Sequence, residues 1–211
     1  MIHGQASSVI ACEWNPDAVL ALRYNLQDNR VSDKVHVLEG DSRQTARDYC
    51  QQTGASFDRI SLGLLPSSEG GWGTAIGALG VADGGWLHIH GNVPVTEVQA
   101  WSIWVSRQLS TICQASNRPA DWIVLVEHVE RVKSFAPTVS HYVADTFVGS
   151  IERHSRTRPE PTRTIHDPAL LKPAFVGVLQ SDGTLLVAPI QVSVPSCALS
   201  EDGALSQEWM K

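Results

Sequence analysis

The sequence predicts an α/β fold built on a doubly wound, mostly parallel sheet that ends in an antiparallel strand pair. Three observations carry it. From Ser8 to Ala115, short β-branched runs alternate with stretches of helical periodicity, and strands separated by helices pair in parallel because the chain must cross over to return. Asp58 to Leu65 reads as one continuous apolar strand of the kind buried in parallel sheets. Two β-rich runs then follow with no room for a helix between them, which leaves only antiparallel pairing.

The elements follow in order. Ser8 to Cys12 is the first strand, and Pro16 to Asn29 a helix with proline in its first turn and Val19, Leu22 and Leu26 on one face. Val35 to Leu38 is the second strand and Ser42 to Gln52 a weaker helix, followed by the apolar strand Asp58–Leu65. Ser68 to Leu79 is expected to be helical with a serine cap, the hydroxyl of Ser67 or Ser68 satisfying free amides rather than acting as a nucleophile. Gly85 to His90 is a strand. Thr96 to Ala115 is a helix whose Val98, Trp101, Val105, Leu109 and Ile112 mark a buried stripe. Trp122–Val132 and Ser140–Val148, joined by "KSFAPTV", form the antiparallel pair. This is the layout of the class I S-adenosylmethionine-dependent, Rossmann-like enzymes. After Gly149 the character changes. "RHSRTRPEPTRT" reads as a Pro- and charge-rich linker, and Phe175 to Val194 as a hairpin around Ser181-Asp-Gly183. Residues 1–149 are therefore the folded domain and 150–211 a linker and C-terminal extension.

Composition narrows the function. With 211 residues and 43% hydrophobic side chains the chain can bury one good core. Its four cysteines are scattered and form no CxxC pair, which suggests neither a disulfide framework nor a zinc site and fits a reducing cytoplasmic location. No apolar run approaches the length of a membrane span, and "MIHGQASS" lacks the layout of a signal peptide. The net charge of −6 lends no support to general polyanion binding. His88 and His90 share one face of a strand, but no third ligand is at hand. Packing or a hydrogen bond to a cleft is expected there, and no metal.

In an open α/β sheet, ligands sit beyond the carboxyl ends of the strands, so the residues after each strand are the candidates. "CEWNP" places Glu13 at the first tip, where a carboxylate accepts both hydroxyls of a ribose. "EGDSR" places Asp41 and the Ser42 amide at the second, suited to an adenine amino group and ring nitrogen. At the third tip Pro66 removes a backbone donor and stiffens the strand exit, while Leu64 and Leu65 leave carbonyls and apolar surface facing the cleft.

"VIACEWNPDAVLALRYNLQDNRV", "VLEGDSR", "RISLGLLPSSEGGW", "GGWLHIHGNV" and "VEHVERVKSFAPTVSHYVADTFV" together resemble the tRNA wybutosine-synthesizing protein 2 family over Val9 to Val148. The resemblance implies an aminocarboxypropyltransferase that binds S-adenosylmethionine as co-substrate. The 3-amino-3-carboxypropyl group would pass to the wybutosine precursor 4-demethylwyosine in tRNA-Phe, next to the anticodon. By position within matching motifs, Glu13 would take the ribose, Asp41 with Ser42 the adenine end, and the stretch holding Leu64 and Pro66 the reacting part of the cofactor. Related guanosine N1-methyltransferases carry a polar Asn-Leu-Pro type of motif where this chain has Leu64-Leu-Pro-Ser67, which favours the aminocarboxypropyl reading. A tRNA guanosine N1-methyltransferase and a truncated non-catalytic relative are the alternatives. No residue stands out as the catalytic base. Family members also carry an earlier strand, glycine-rich turn and helix. Met1 lies just seven residues before the first strand here, and the sequence holds no such loop. A gap at the centre of the sheet, where that first strand would lie, is the expected consequence.

Overall fold

Parallel pairing occurs twice, in two separate sheets. In the computed structural model, which describes residues 6–157, 177–179 and 185–187, β1 (Val9–Glu13) pairs in parallel with β2 (Val35–Glu39), Val9 opposite Val35 and Glu13 opposite Glu39. The crossover is α1 (Pro16–Asp28). The Asn15 side chain accepts from the Asp17 amide at 2.9 Å, and Pro16 occupies the first turn, where its missing N–H is no loss. α2 (Ser42–Thr53) follows β2.

The second sheet has the order β3-β4-β6-β5. β3 (Arg59–Leu62) runs parallel to β4 (Gly84–Pro94). β5 (Trp122–Ala136) and β6 (Val139–Ser150) form a hairpin, with β6 inserted antiparallel beside β4. Between β3 and β4 lie a 3-10 turn (Glu69–Gly71) and α3 (Trp72–Ala78), and α4 (Val98–Ala115) connects β4 to β5. The expected antiparallel pair is longer than its sequence signal. Ala136 pairs with Val139, so most of "KSFAPTV" is strand and only Pro137 and Thr138 turn.

The core lies on one face of this second sheet. Leu87, Ile89 and Val93 of β4 meet Val105 and Leu109 of α4 and Trp72, Ile76 and Leu79 around α3. Of the expected α4 stripe, Trp101, Val105 and Leu109 are buried, while Val98 and Ile112 at its ends are partly buried. Gly91 is where that ring crosses the strand, since a Cβ there would lie 2.9 Å from Trp101 Cζ2. A tighter approach occurs at Gly84, whose φ is +78° and whose added Cβ would fall 2.0 Å from the Val148 carbonyl oxygen.

Four expectations are corrected. β3 spans Arg59 to Leu62 and not Asp58 to Leu65, and it is buried on one face only: Ile60 and Leu62 pack on the core while Arg59 and Ser61 are exposed. Ser68 does not cap a helix. Its hydroxyl is buried, accepting from Trp72 Nε1 at 3.1 Å, and Ser67 Oγ instead accepts from the Glu69 amide at 3.3 Å. The helix expected from Ser68 to Leu79 is a 3-10 turn followed by the shorter α3. The start of the expected linker is helical: α5 (Ile151–Thr157) packs back on β4 and β6. Arg153 pairs with Asp58 and, at 3.6 Å, with Asp83, and His154 lies 2.8 Å from Glu127. The remainder of that linker lies outside the described residues. Further on, β7 (Gly177–Leu179) pairs antiparallel with β8 (Leu185–Val187) inside the expected hairpin, whose turn is also outside the described residues.

The central break in the sheet is present. β1 and β3 share no strand pairing among the described residues. What joins the two halves is α2, which packs against the 3-10 turn and α3, with Thr74 Oγ1 donating to the Arg43 carbonyl at 3.4 Å.

Candidate functional site

The two first strand tips are tied side by side. The Gly40 amide donates to the Glu13 carbonyl at 2.9 Å, so the turn after β2 folds over the end of β1. Glu13 Oε1 accepts from the Asn15 amide at 2.8 Å, which orients the carboxylate at the carboxyl edge. Asp41 is the N-cap of α2: its carboxylate accepts from the Arg43 amide at 2.9 Å and from the Arg43 guanidinium at 2.5 to 3.0 Å. Those Arg43 hydrogen bonds pull the Asp41 carboxyl down to about 2, so it is an acceptor only near neutral pH. Ser42 is the first helical residue, one of those whose amides find no partner within the helix.

Leu64 and Pro66 stand at the tip of β3, on the other sheet. Leu64 is 65% exposed and Leu65 38%, and the Leu65–Pro66 peptide is cis. The loop is fastened to the carboxyl end of β4, where the Asn92 amide donates to the Pro66 carbonyl at 3.0 Å and Ser67 bridges to Gly91. The structure thus gathers the five candidate residues into two groups. Glu13, Asp41 and Ser42 form one, Leu64 and Pro66 the other. Arg43, beside the first group, has its carbonyl bound by Thr74 of α3 and its side chain next to Gly70 of the 3-10 turn.

The donor set of the first group fits an adenosine. Ribose hydroxyls need acceptors, which the Glu13 carboxylate offers. An adenine edge needs one acceptor and one donor, which Asp41 and the Ser42 amide offer. Among the described residues no glycine-rich turn faces these tips.

A polar row lies on the face of β4 turned away from α3 and α4. His88 Nδ1 lies 2.6 Å from Asp145 Oδ1, and His90 Nδ1 lies 3.0 Å from His141 Nε2. Packing or a hydrogen bond to a cleft is the expectation for these two histidines; their ring nitrogens instead meet side chains of the neighbouring strand β6. The sequence shows that His88 and His90 share a face, whereas their partners are set by strand register more than forty residues away. Burial, and then the neighbouring His141, hold His90 below its ordinary range; burial and then Lys133 do the same to His141. Glu69 at the same edge accepts from Ser67 Oγ at 2.8 Å, and burial pushes its carboxyl up. Among the described residues, no three His, Cys, Asp or Glu side chains converge to hold a metal ion.

The model of the TRM5/TYW2 methyltransferase domain family matches residues 1–117. A tRNA wybutosine-synthesizing protein 2/3/4 of Arabidopsis thaliana is 48% identical over 145 residues, covering 69% of this chain and 14% of that protein. A tRNA wybutosine-synthesizing protein 2 homolog of Danio rerio is 35% identical over 173 residues, covering 69% of this chain and 41% of that one. The chain therefore spans under half the length of these relatives. Among solved structures, M. jannaschii TYW2 in complex with AdoMet superimposes with a TM-score of 0.55 at 20% identity, over 70% of this chain and 60% of that one, a likeness of fold.

Proposed function

This chain belongs to the TRM5/TYW2 methyltransferase domain family, and from that premise we propose that it transfers the 3-amino-3-carboxypropyl group of S-adenosylmethionine to 4-demethylwyosine in tRNA-Phe, in the cytoplasm. When bound, S-adenosylmethionine supplies an electrophilic sulfonium with three carbons open to attack. Which of them reacts follows from which one stands in line with the nucleophile at near-attack distance.

The chain's own residues divide that work. Glu13 holds the ribose hydroxyls, and Asp41 with the Ser42 amide holds the adenine edge. Asp41 is kept ionised for this by Arg43. Leu64 and Pro66 bring no side-chain hydrogen-bonding group to the reacting end, so they position by shape. The observation that carries the choice of transferred group is this apolar exit of β3, with Leu64 and Leu65 exposed beside the carboxyl end of β4. The high identity to wybutosine-synthesizing relatives supports the same choice.

The test is to incubate the chain with S-adenosylmethionine and tRNA-Phe carrying 4-demethylwyosine, and to weigh the released nucleoside. A gain of the aminocarboxypropyl mass is expected. In a parallel incubation with tRNA-Phe carrying unmodified guanosine at that position, a gain of a methyl mass would assign N1-methylation instead. No product, together with no heat of S-adenosylmethionine binding in calorimetry, would mark the chain as non-catalytic.

A further inference from the structure

The polar row on β4 and β6 ends at the same edge as the Leu64–Pro66 loop. Asn92 stands directly opposite His141 in the strand register, and the His90 and His141 rings lie 5.1 Å apart between centroids. His141 is 8% exposed. Its Nδ1 and the Asn92 Oδ1 are both buried without a hydrogen-bond partner among the described residues. Unpaired buried polar atoms are rare in folded proteins, and two side by side call for an explanation. His90 is the half-buried member of the group, reachable from solvent, and the Ser68 hydroxyl donates to its carbonyl at 3.4 Å. Leu64, largely in solvent, and Leu65, about two-fifths exposed, follow the neighbouring strand β3.

We propose that His90, oriented by His141, is the hydrogen-bonding contact for the acceptor base, a neutral planar purine-type ring lying against Leu64 and Leu65. This rests on the transferase reading above. The surroundings favour such a ring over an anion. The charged and titratable groups facing this row are His88, Asp145, Lys133, Glu130 and His128. His88 pairs with Asp145 and His128 with Glu130, leaving Lys133 to oppose His141. A phosphate subsite calls for several Lys or Arg side chains, whereas neutral imidazoles, which the lowered pKa values of His90 and His141 provide near pH 7, match the donors and acceptors of a base edge. The apolar leucine surface suits the face of the ring. His141 acts through His90: the short contact between their rings fixes which nitrogen of His90 is free to meet the ligand.

The test uses the full chain with 15N-labelled histidine, guanosine as the probe and ribose 5-phosphate as the anion control, each with and without S-adenosylmethionine. Guanosine is expected to shift the His90 ring nitrogens and ribose 5-phosphate to leave them in place. His141→Phe should weaken the guanosine response about tenfold, while His141→Gln, which retains a polar side chain to meet His90, should stay within about twofold of the parent. The proposal is overturned if His90 is silent to millimolar guanosine, if ribose 5-phosphate shifts it equally, or if the Phe and Gln variants behave alike. The wild-type response decides the matter even where a variant fails to fold. Calorimetry with S-adenosylmethionine reads the transferase premise separately: binding with a silent His90 removes only this contact, and a His90 response without binding removes only the premise.

Discussion

His88 and Asp145 face each other across β4 and β6, with imidazole Nδ1 2.6 Å from carboxylate Oδ1. Both side chains are about one-third exposed, at 29% and 34%, so the pair falls at the modest end for a charge-assisted bond. Asp145→Ala should destabilise the fold by about 1 kcal/mol, and Asp145→Asn, which keeps an acceptor, by less than half of that. Urea denaturation of the two variants measures this.

Stability should fall on mild acidification. His90 and His141 both titrate below their ordinary value of 6.5 when folded, chiefly through burial. The unfolded chain therefore binds their protons more readily. Their contribution is complete above the unfolded value and is lost as pH drops through the lower folded values, opposed in part by Asp145 beside His90. The urea midpoint should decrease between pH about 7 and about 5, and by less in His141→Gln.

Two glycines should respond in opposite senses to alanine. At Gly84 the backbone is left-handed and an added Cβ would lie 2.0 Å from the Val148 carbonyl oxygen and 2.4 Å from Gly149 Cα. Neither neighbour can yield without parting β4 from β6, so Gly84→Ala should cost at least about 3 kcal/mol. At Gly73, inside α3, nothing lies within 4 Å of the added carbon. Gly73→Ala should stabilise by about 0.5–1 kcal/mol. Thermal melts of the pair give both signs.

Backbone protection should follow the break in the sheet. β4 and β6 are hydrogen-bonded on both sides, whereas β1 and β3 have one paired neighbour each among the described residues. Amides of β1 and β3 should exchange with solvent faster than those of β4 and β6, as read by hydrogen-exchange mass spectrometry. Equal protection would mean that the open edges are covered in solution.

Within the proposed cofactor site, Glu13→Ala should weaken S-adenosylmethionine binding about tenfold in calorimetry if its carboxylate holds the ribose. Asp41→Asn separates recognition from capping, because asparagine still caps α2 while it loses the charge that Arg43 grips. An unchanged affinity in both would remove these residues from the site.

Much of this was legible in local pattern. The strands and helices from β1 to β6 lie within a few residues of their expected places except around Ser68, where a hydroxyl expected to cap a helix is buried and serves the Trp72 indole. A cap and a buried anchor share the same residue type, and the difference lies in what packs above. The helix α5 is hidden in the sequence for a similar reason. "RHSRT" looks like linker by composition, yet Arg153 and His154 find Asp58, Asp83 and Glu127, and Trp86 Nε1 donates to Thr157 Oγ1 at 3.1 Å. These partners are distant in the chain and leave no local trace.

By itself the sequence determined the succession of strands and helices from β1 to β6 and most of the buried stripe of α4, because these depend on residue type and spacing of near neighbours. Only the tertiary structure decided that His90 meets His141 and His88 meets Asp145, that α3 reaches α2 through the Arg43 carbonyl, and that α5 packs on β4 and β6. Those contacts depend on strand register and on the docking of α2 against α3, which join residues through space that the chain keeps far apart.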